Sequence, residues 1–483
     1  MGKVQMALYY YLSETNPMPQ NENDATPGKL HSRVTSRVTS IDQTEADPGR
    51  RGFLQTIATA GVSVPASYFL LGNSARAAKS PGTQDCLKGN TSFALRRTDS
   101  TSKKAQFVRD FSDPYLELVR LLHEAAEVEH SLMIQYLYAA FSVKPEYAGI
   151  VGGIAPRTDT FLGFAVQEMQ HLGLVNRLLA ALGSTPNLLT QNMPYEPDIY
   201  PFEITLEACS PLSLAKYTYC EAPAGALDRT GAKDARDHAF LDTVYAALGN
   251  QARPNRVGSF YDSVIDTLKE YGKSQISEYE FSQPLDIDMW VEKLKALQEE
   301  GEVGHFEFFK DVLLGTHKGC RGRRNVWKLP RDHAHYPTQK LPANPSAFVG
   351  HPNQIKDPVA LSLAWLSNLH YWVSLSALTY AYNFSSSKLI EIAQRHMIGP
   401  LLVLGRELPK LGAAVPFDQL SMGYSPGLRP ADSLRFMQHL VLETIEAEKR
   451  LGDHLPTAYD PSITAATQEE IELLFEWMKV SRL

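Results

Sequence analysis

The sequence predicts an all-α bundle, on three observations. From Asp113 onward apolar residues recur every three or four positions, and few period-2 runs compete with them. Helix punctuation frames these runs: Asp113-Pro114 supplies a cap and a proline at the first helical position, and Gly183 supplies a C-terminal stop. Three Glu-x-x-His pairs, Glu127/His130, Glu168/His171 and Glu302/His305, fall inside the long helical patterns. Composition agrees, since 43% hydrophobic and 21% charged residues in a chain of 483 fit neither a disordered chain nor a polytopic membrane protein. A net charge of −7 leaves no basic footprint for nucleic acid or an anionic membrane, so a small molecule or an ion is the expected partner.

Taken in order, residues 1–49 are rich in Asn, Thr, Ser and Pro, bury too little apolar surface to offset chain entropy, and read as disordered. Residues 50–78 hold Arg50-Arg51, an apolar run from Ile57 to Leu71 and Ala75-Arg76-Ala77, the order of a twin-arginine export signal with an A-x-A cleavage site. The run contains Pro65 and is short for a stable membrane span. This places the protein in the periplasm or outside the cell, with the twin-arginine translocase as a partner, or in the cytoplasm if the signal goes unused. The 49 preceding residues are long for such a signal, which leaves Met6 or Met18 as alternative starts. Residues 79–112 form a linker.

Residues 113–314 hold the expected metal-binding bundle. Its helices run from Asp113 to about Phe141, from Asp159 to Leu182, over Ser259–Tyr271 and over Ile287–Leu314, with a short helix near Ser213–Glu221. Residues 315–358 are basic and Pro-rich, a loop length usually tied to function or mobility. Residues 359–483 form a C-terminal helical region with runs at Val359–Phe384, Ser387–Leu411, Ala431–Leu455 and Gln468–Val480. Trp365, Tyr371, Trp372 and Tyr380 read as core.

The Glu-x-x-His pairs carry the chemistry. A spacing of three puts both side chains on one helix face, although chance alone supplies about one such pair in a chain of this composition. Position decides. The series His123, Glu127, His130, Ile134, Leu137, Phe141 continues an apolar stripe, as do Phe164, Glu168, His171, Val175, Leu178, Leu182 and Leu294, Gln298, Glu302, His305, Phe309, Val312. The pairs are therefore expected to point inward, where a lone carboxylate costs several kcal/mol unless it is paired, neutralised or metal-bound. One pair would read as core polar residues satisfying each other; three on three long helices read as metal ligands, the arrangement of di-iron and di-manganese carboxylate bundles. Carboxylate and imidazole without thiolate suit iron or manganese, with copper and zinc as further options. His123-Glu124-Ala125-Ala126 starts like the zinc motif H-E-x-x-H but has Glu127 in fifth place. His333 and His335 in the long loop are weaker candidates. No cysteine pair has C-x-x-C spacing, and Cys209 with Cys220 could close a disulfide after export.

Five segments carry a specific resemblance: LHEAAEVEHSLMIQYLYAAFSVK, FAVQEMQHLGLVNRLLAALGSTPNL, YPFEITLEACSPLSLAKYTYCEAP, QEEGEVGHFEFFKD and RELPKLGAAVPF. Over about residues 113–455 the chain resembles the ferritin-like domain of the iminophenyl-pyruvate dimer synthase family, which includes enzymes of bisindole pigment pathways. The resemblance implies a ferritin-like four-helix bundle with additional C-terminal helices and redox chemistry. It also implies metal-ligand roles for Glu127, His130, Glu168, His171, Glu302 and His305, with di-iron as the first expectation. The family often has Glu beside a Gly-x-x-Tyr in the third bundle helix, where this chain has Gly258-Ser259-Phe260-Tyr261. Ser259 is a poor ligand, and Asp262 or Glu221 are the candidates to replace it.

The expectation is thus a metal-dependent oxidoreductase acting on a small organic molecule with oxygen or peroxide. Oxidative coupling of aromatic 2-imino acids and a non-catalytic metal store are the alternatives.

Overall fold

Asp113 caps the first helix through its carboxylate, which accepts the Leu116 N–H at 2.8 Å, and Pro114 opens the helical turn. That helix, α1, runs Pro114–Ser142. The computed structural model describes residues 109–481 apart from 154–158, 191–201, 203–204, 233, 250–255, 275–284, 321–325, 421–422 and 425–428. The expectations for the disordered region, the export signal and all but the end of the linker lie outside the described residues. Helix α2 runs Phe161–Ala181, capped by the Thr160 hydroxyl. Helix α3, Pro211–Glu221, opens on a Ser210/Ser213 capping box. Helices α4, Ala235–Ala247, and α5, Val257–Ser274, follow. The periodicity gives no helix at α4, because only Phe240, Leu241 and Val244 are buried there; Asp234 starts it by accepting the N–H groups of Arg236 and Asp237.

The expected continuous helix at 287–314 is split by a π turn. It comprises α6, Ile287–Glu299, the π turn Glu300–His305, and α7, Phe306–Leu313. Gly301 and Gly304 sit in the widened turn, and such insertions recur at functional sites. Helix α1 packs on α2 and α5, α5 on α6, and α3 on α7.

The C-terminal region begins with α8, Pro358–Phe384, which is apolar around most of its circumference and is covered on several sides. It contacts α2, and beyond it lie α9, Ser387–His396, α10, Leu402–Glu407, and α11, Pro430–Leu451. The last helix, α12, is Ser462–Ser481. The single helix expected at 387–411 is interrupted by a second π turn, Met397–Leu401, because Pro400 has no N–H to continue the α-helical ladder. Tyr371 and Trp372 are buried, while Trp365 and Tyr380 are half-buried. Where α8 meets α9, the Nδ1 atoms of His370 and His396 lie 2.8 Å apart, with Tyr459 OH 2.5 Å from His370 Nε2. Burial pushes both imidazoles down, His396 to about 3, and one Nδ1 donates to the other across the contact.

The described part of the 315–358 segment is tied down rather than loose. Lys144 N–H donates to Pro337 O and Gln339 N–H to Ser142 O, both at 2.8 Å, and Trp327 Nε1 donates to Val312 O at 2.7 Å. His333 and His335 are exposed on it. Two isolated bridges, Val143 with Thr338 and Ser346 with Gln354, are the β-type pairings among the described residues. Cys209, Cys220 and Cys320 are buried free thiols, so the Cys209–Cys220 bridge is not formed. No described helix is long and apolar enough to cross a membrane.

Candidate metal centre

Five buried side chains converge between the bundle helices. Glu129 comes from α1, Glu168 and His171 from α2, Glu221 from the last position of α3, and His305 from the end of the π turn. They form two overlapping triads, Glu129/Glu168/His171 and Glu168/Glu221/His305, each with donor atoms within 4.8 Å of one another. Glu168 belongs to both. Its Oε2 lies 3.0 Å from His171 Nδ1, and its Oε1 lies 3.1 Å from His305 Nδ1. Glu129 Oε2 completes the first triad at 3.4 Å from His171 Nδ1, and Glu221 Oε1 the second at 3.4 Å from His305 Nδ1.

Each element is held by a second layer. Tyr261 OH donates to Glu129 Oε1 and Tyr136 OH to Glu221 Oε1, both at 2.5 Å, so each non-shared carboxylate is aimed by a phenol from a neighbouring helix. The outward nitrogens of the imidazoles are occupied as well: His171 Nε2 faces Glu300 Oε2 at 3.2 Å and His305 Nε2 faces Gln167 Oε1 at 3.0 Å. That fixes the tautomer with Nδ1 turned to the site. Phe164 covers His305, with ring centroids 4.4 Å apart, and Phe309 packs on Tyr136 at 4.8 Å.

Electrostatics without a cation are tense. Burial raises the Glu129 carboxyl to about 8, helped by repulsion from Glu168. Burial opposes the Glu168 charge too, yet the two imidazoles hold this carboxyl well below the usual range. Burial would lower both imidazoles, but the carboxylates win: His171 is raised well above its ordinary value and His305 to about 9. The buried Glu168 Oε1 and His305 Nδ1 nevertheless make no hydrogen bond of acceptable geometry, although 3.1 Å apart. Both atoms belong to the Glu168/Glu221/His305 triad, whose donor atoms lie close enough together to serve one cation. The donor set, three carboxylates and two imidazoles with no thiolate, fits iron or manganese.

Of the six residues singled out from sequence, the structure brings Glu168, His171 and His305 together, sets Glu302 in the lining of the same pocket and leaves Glu127 and His130 aside. Glu127 accepts a hydrogen bond from Asn187 Nδ2 at 2.8 Å, and His130 Nε2 pairs with Tyr371 OH at 2.7 Å. Both therefore face the loop after α2 and helix α8 instead of the site. The reason is that α1 is buried on two sides, and the stripe through Glu127 and His130 is covered by the loop after α2 and by α8. Two residues on from Glu127, Glu129 lies on the other stripe, with Leu132 and Tyr136, and reaches the site. Glu302 lines the pocket at its rim, half-buried, because the π turn breaks the α-helical register between positions 302 and 305. A Cβ on Gly258 would stand 1.9 Å from Glu302 Oε1, so any side chain there would push that carboxylate away from α5. Ser259 instead caps α5, accepting the Arg256 N–H at 2.9 Å. Asp262 accepts a hydrogen bond from Gln298, and Glu221 is the carboxylate that joins Glu168 and His305 in the second triad. The signal for Glu129 is the Glu129, Leu132, Tyr136 spacing; none marks Gln167 or Glu300 as partners of the imidazoles.

Residues 122–312 match the family model described as Ferritin-like. Dichlorochromopyrrolate synthase from Lentzea aerocolonigenes is 26% identical over 366 residues, which is 62% of this chain and 34% of that protein. The chain thus matches about a third of the length of that relative. No solved structure matches. Residues 122–312, which contain all five converging side chains, thus make up a ferritin-like domain.

Proposed function

We propose that the five converging residues hold two metal ions, di-iron first and manganese second, and that the protein is an oxidoreductase acting on a small organic substrate. The observation that carries the reading is the shared Glu168, whose two oxygens face two different imidazole Nδ1 atoms inside a buried pocket. Bound metal would supply redox equivalents and activate oxygen or peroxide. The chain's own contribution is to hold the donor atoms in place through Tyr136 and Tyr261, to fix the imidazole tautomers, and to keep water from the inner side with Phe164 and Phe309. Export of the protein is part of the proposal, on the pattern at residues 50–78.

A second reading, oxidative coupling of two aromatic 2-imino acids, is favoured by the family resemblance and by the similarity to dichlorochromopyrrolate synthase. Elemental analysis of natively purified protein, followed by oxygen-uptake assays, tests both. About two iron or manganese ions per chain are expected. Oxygen uptake that needs the metal and responds to the imine of an aromatic 2-oxo acid selects coupling, whereas uptake with other aromatic reductants only selects the broader reading. A shell-sized particle filled with iron would make the protein a store, and a metal-free active protein would remove the proposal.

A further inference from the structure

The two triads look alike in their inner ligands and differ in what stands behind their imidazoles. Behind His171 is Glu300, a carboxylate 42% exposed, at 3.2 Å from Nε2. Behind His305 is Gln167, a buried neutral amide, at 3.0 Å. With Nδ1 given to metal, each Nε2 carries a proton and donates it outward. A carboxylate acceptor leaves the ring more electron-rich, and so a stronger metal donor, than an amide oxygen does. The surroundings add to the difference. The guanidinium of Arg256 donates to Pro223 O, two residues beyond Glu221, so that cation lies on the Glu221 side of the centre.

We infer that the two metal positions fill in order, the one at Glu129, Glu168 and His171 first and the one at Glu168, Glu221 and His305 second, with Glu300 as the positioning residue that sets the order. The inference rests on the proposed dinuclear centre. It gives the π turn a role at both positions: its first residue, Glu300, reaches across to His171, while its last, His305, enters the second triad. An α-helix puts residues five apart on well-separated faces, and the wider turn lets this one segment serve the two positions. The chain would then own a tight, permanently filled position and a weaker one whose metal exchanges.

Titration of the metal-stripped full chain with manganese(II), followed by calorimetry and electron paramagnetic resonance, tests this without any assay of activity. The first equivalent should give the six-line spectrum of an isolated ion, and the second, binding more weakly, should convert it to the spectrum of a coupled pair. In Glu300→Gln the first step should weaken by roughly 10–100-fold, the usual cost of an outer partner, so that the two steps merge. Because Glu300 is part-exposed, that variant should fold like the wild type, which circular dichroism checks. Coupled spectra from the first addition to wild type, or a Glu300→Gln titration identical to wild type, would overturn the ordering while leaving the dinuclear centre standing. No manganese bound by wild type at all would overturn the centre and the ordering together.

Discussion

Replacing Glu168 with Gln is expected to empty both metal positions at once. The carboxylate is the one ligand common to the two triads, so its loss should cost far more affinity than the roughly 10–100-fold of an outer-shell change. Metal content should fall from about two ions per chain to near zero, and activity with it. The variant also leaves His171 and His305 without their shared counter-charge, and breaking a buried ion pair typically costs about 3–5 kcal/mol, so metal must be counted on the folded fraction. Glu127→Gln is the informative companion. It sits two residues from Glu129 on the same helix but faces Asn187, and it should keep its metal. A Glu127→Gln protein that loses metal while Glu168→Gln retains it would contradict the assignment; inductively coupled plasma measurement of both variants reads the outcome.

The second large effect is on stability. Trp372 is almost fully buried in α8, its ring 5.3 Å from Trp365 and 6.2 Å from Phe348, and its Nε1 donates to Asp418 O at 2.6 Å. Trp372→Ala should cost about 3–5 kcal/mol for the lost burial and cavity, with about 1–3 kcal/mol more for the unpaired carbonyl. Urea denaturation of wild type and variant, both metal-loaded, measures it. A difference below about 1 kcal/mol would mean that α8 is not the core element described here.

How much of this was legible without coordinates depends on how many sides of a helix are buried. Helix α2 has a clear polar interruption, so Glu168 and His171 could be assigned to the inner face from spacing alone. Helix α1 could not be resolved in this way, because Leu121, Leu122, Ala125, Ala126, Val128 and Leu132 surround its axis and two stripes compete. The stripe through Glu127 and His130 has the better motif and the wrong neighbour, namely the C-terminal region, whose position is a tertiary fact. The π turn defeated the register argument at Glu302 for a related reason: periodicity assumes one residue angle throughout, and Gly301 with Gly304 permits a wider one. Glu221 was recognisable only as an alternative, since nothing in α3 says that its last residue meets a helix some eighty positions later. Local capping, by contrast, is readable where an Asp-Pro pair directly precedes an apolar run, as at Asp113. The helix α4 start at Asp234 is equally local, but the helix has too small an apolar face to stand out in the periodicity.

Two cations are proposed to sit between Glu129, Glu168, Glu221, His171 and His305. Anomalous diffraction at the manganese edge, from crystals of the protein loaded with manganese(II), locates them directly. The account predicts two peaks about 3.5–4 Å apart, one among Glu129, Glu168 and His171 and the other among Glu168, Glu221 and His305, with Glu168 touching both. A peak beside Glu127 and His130, or fully loaded crystals with no peak between the five side chains, would contradict it.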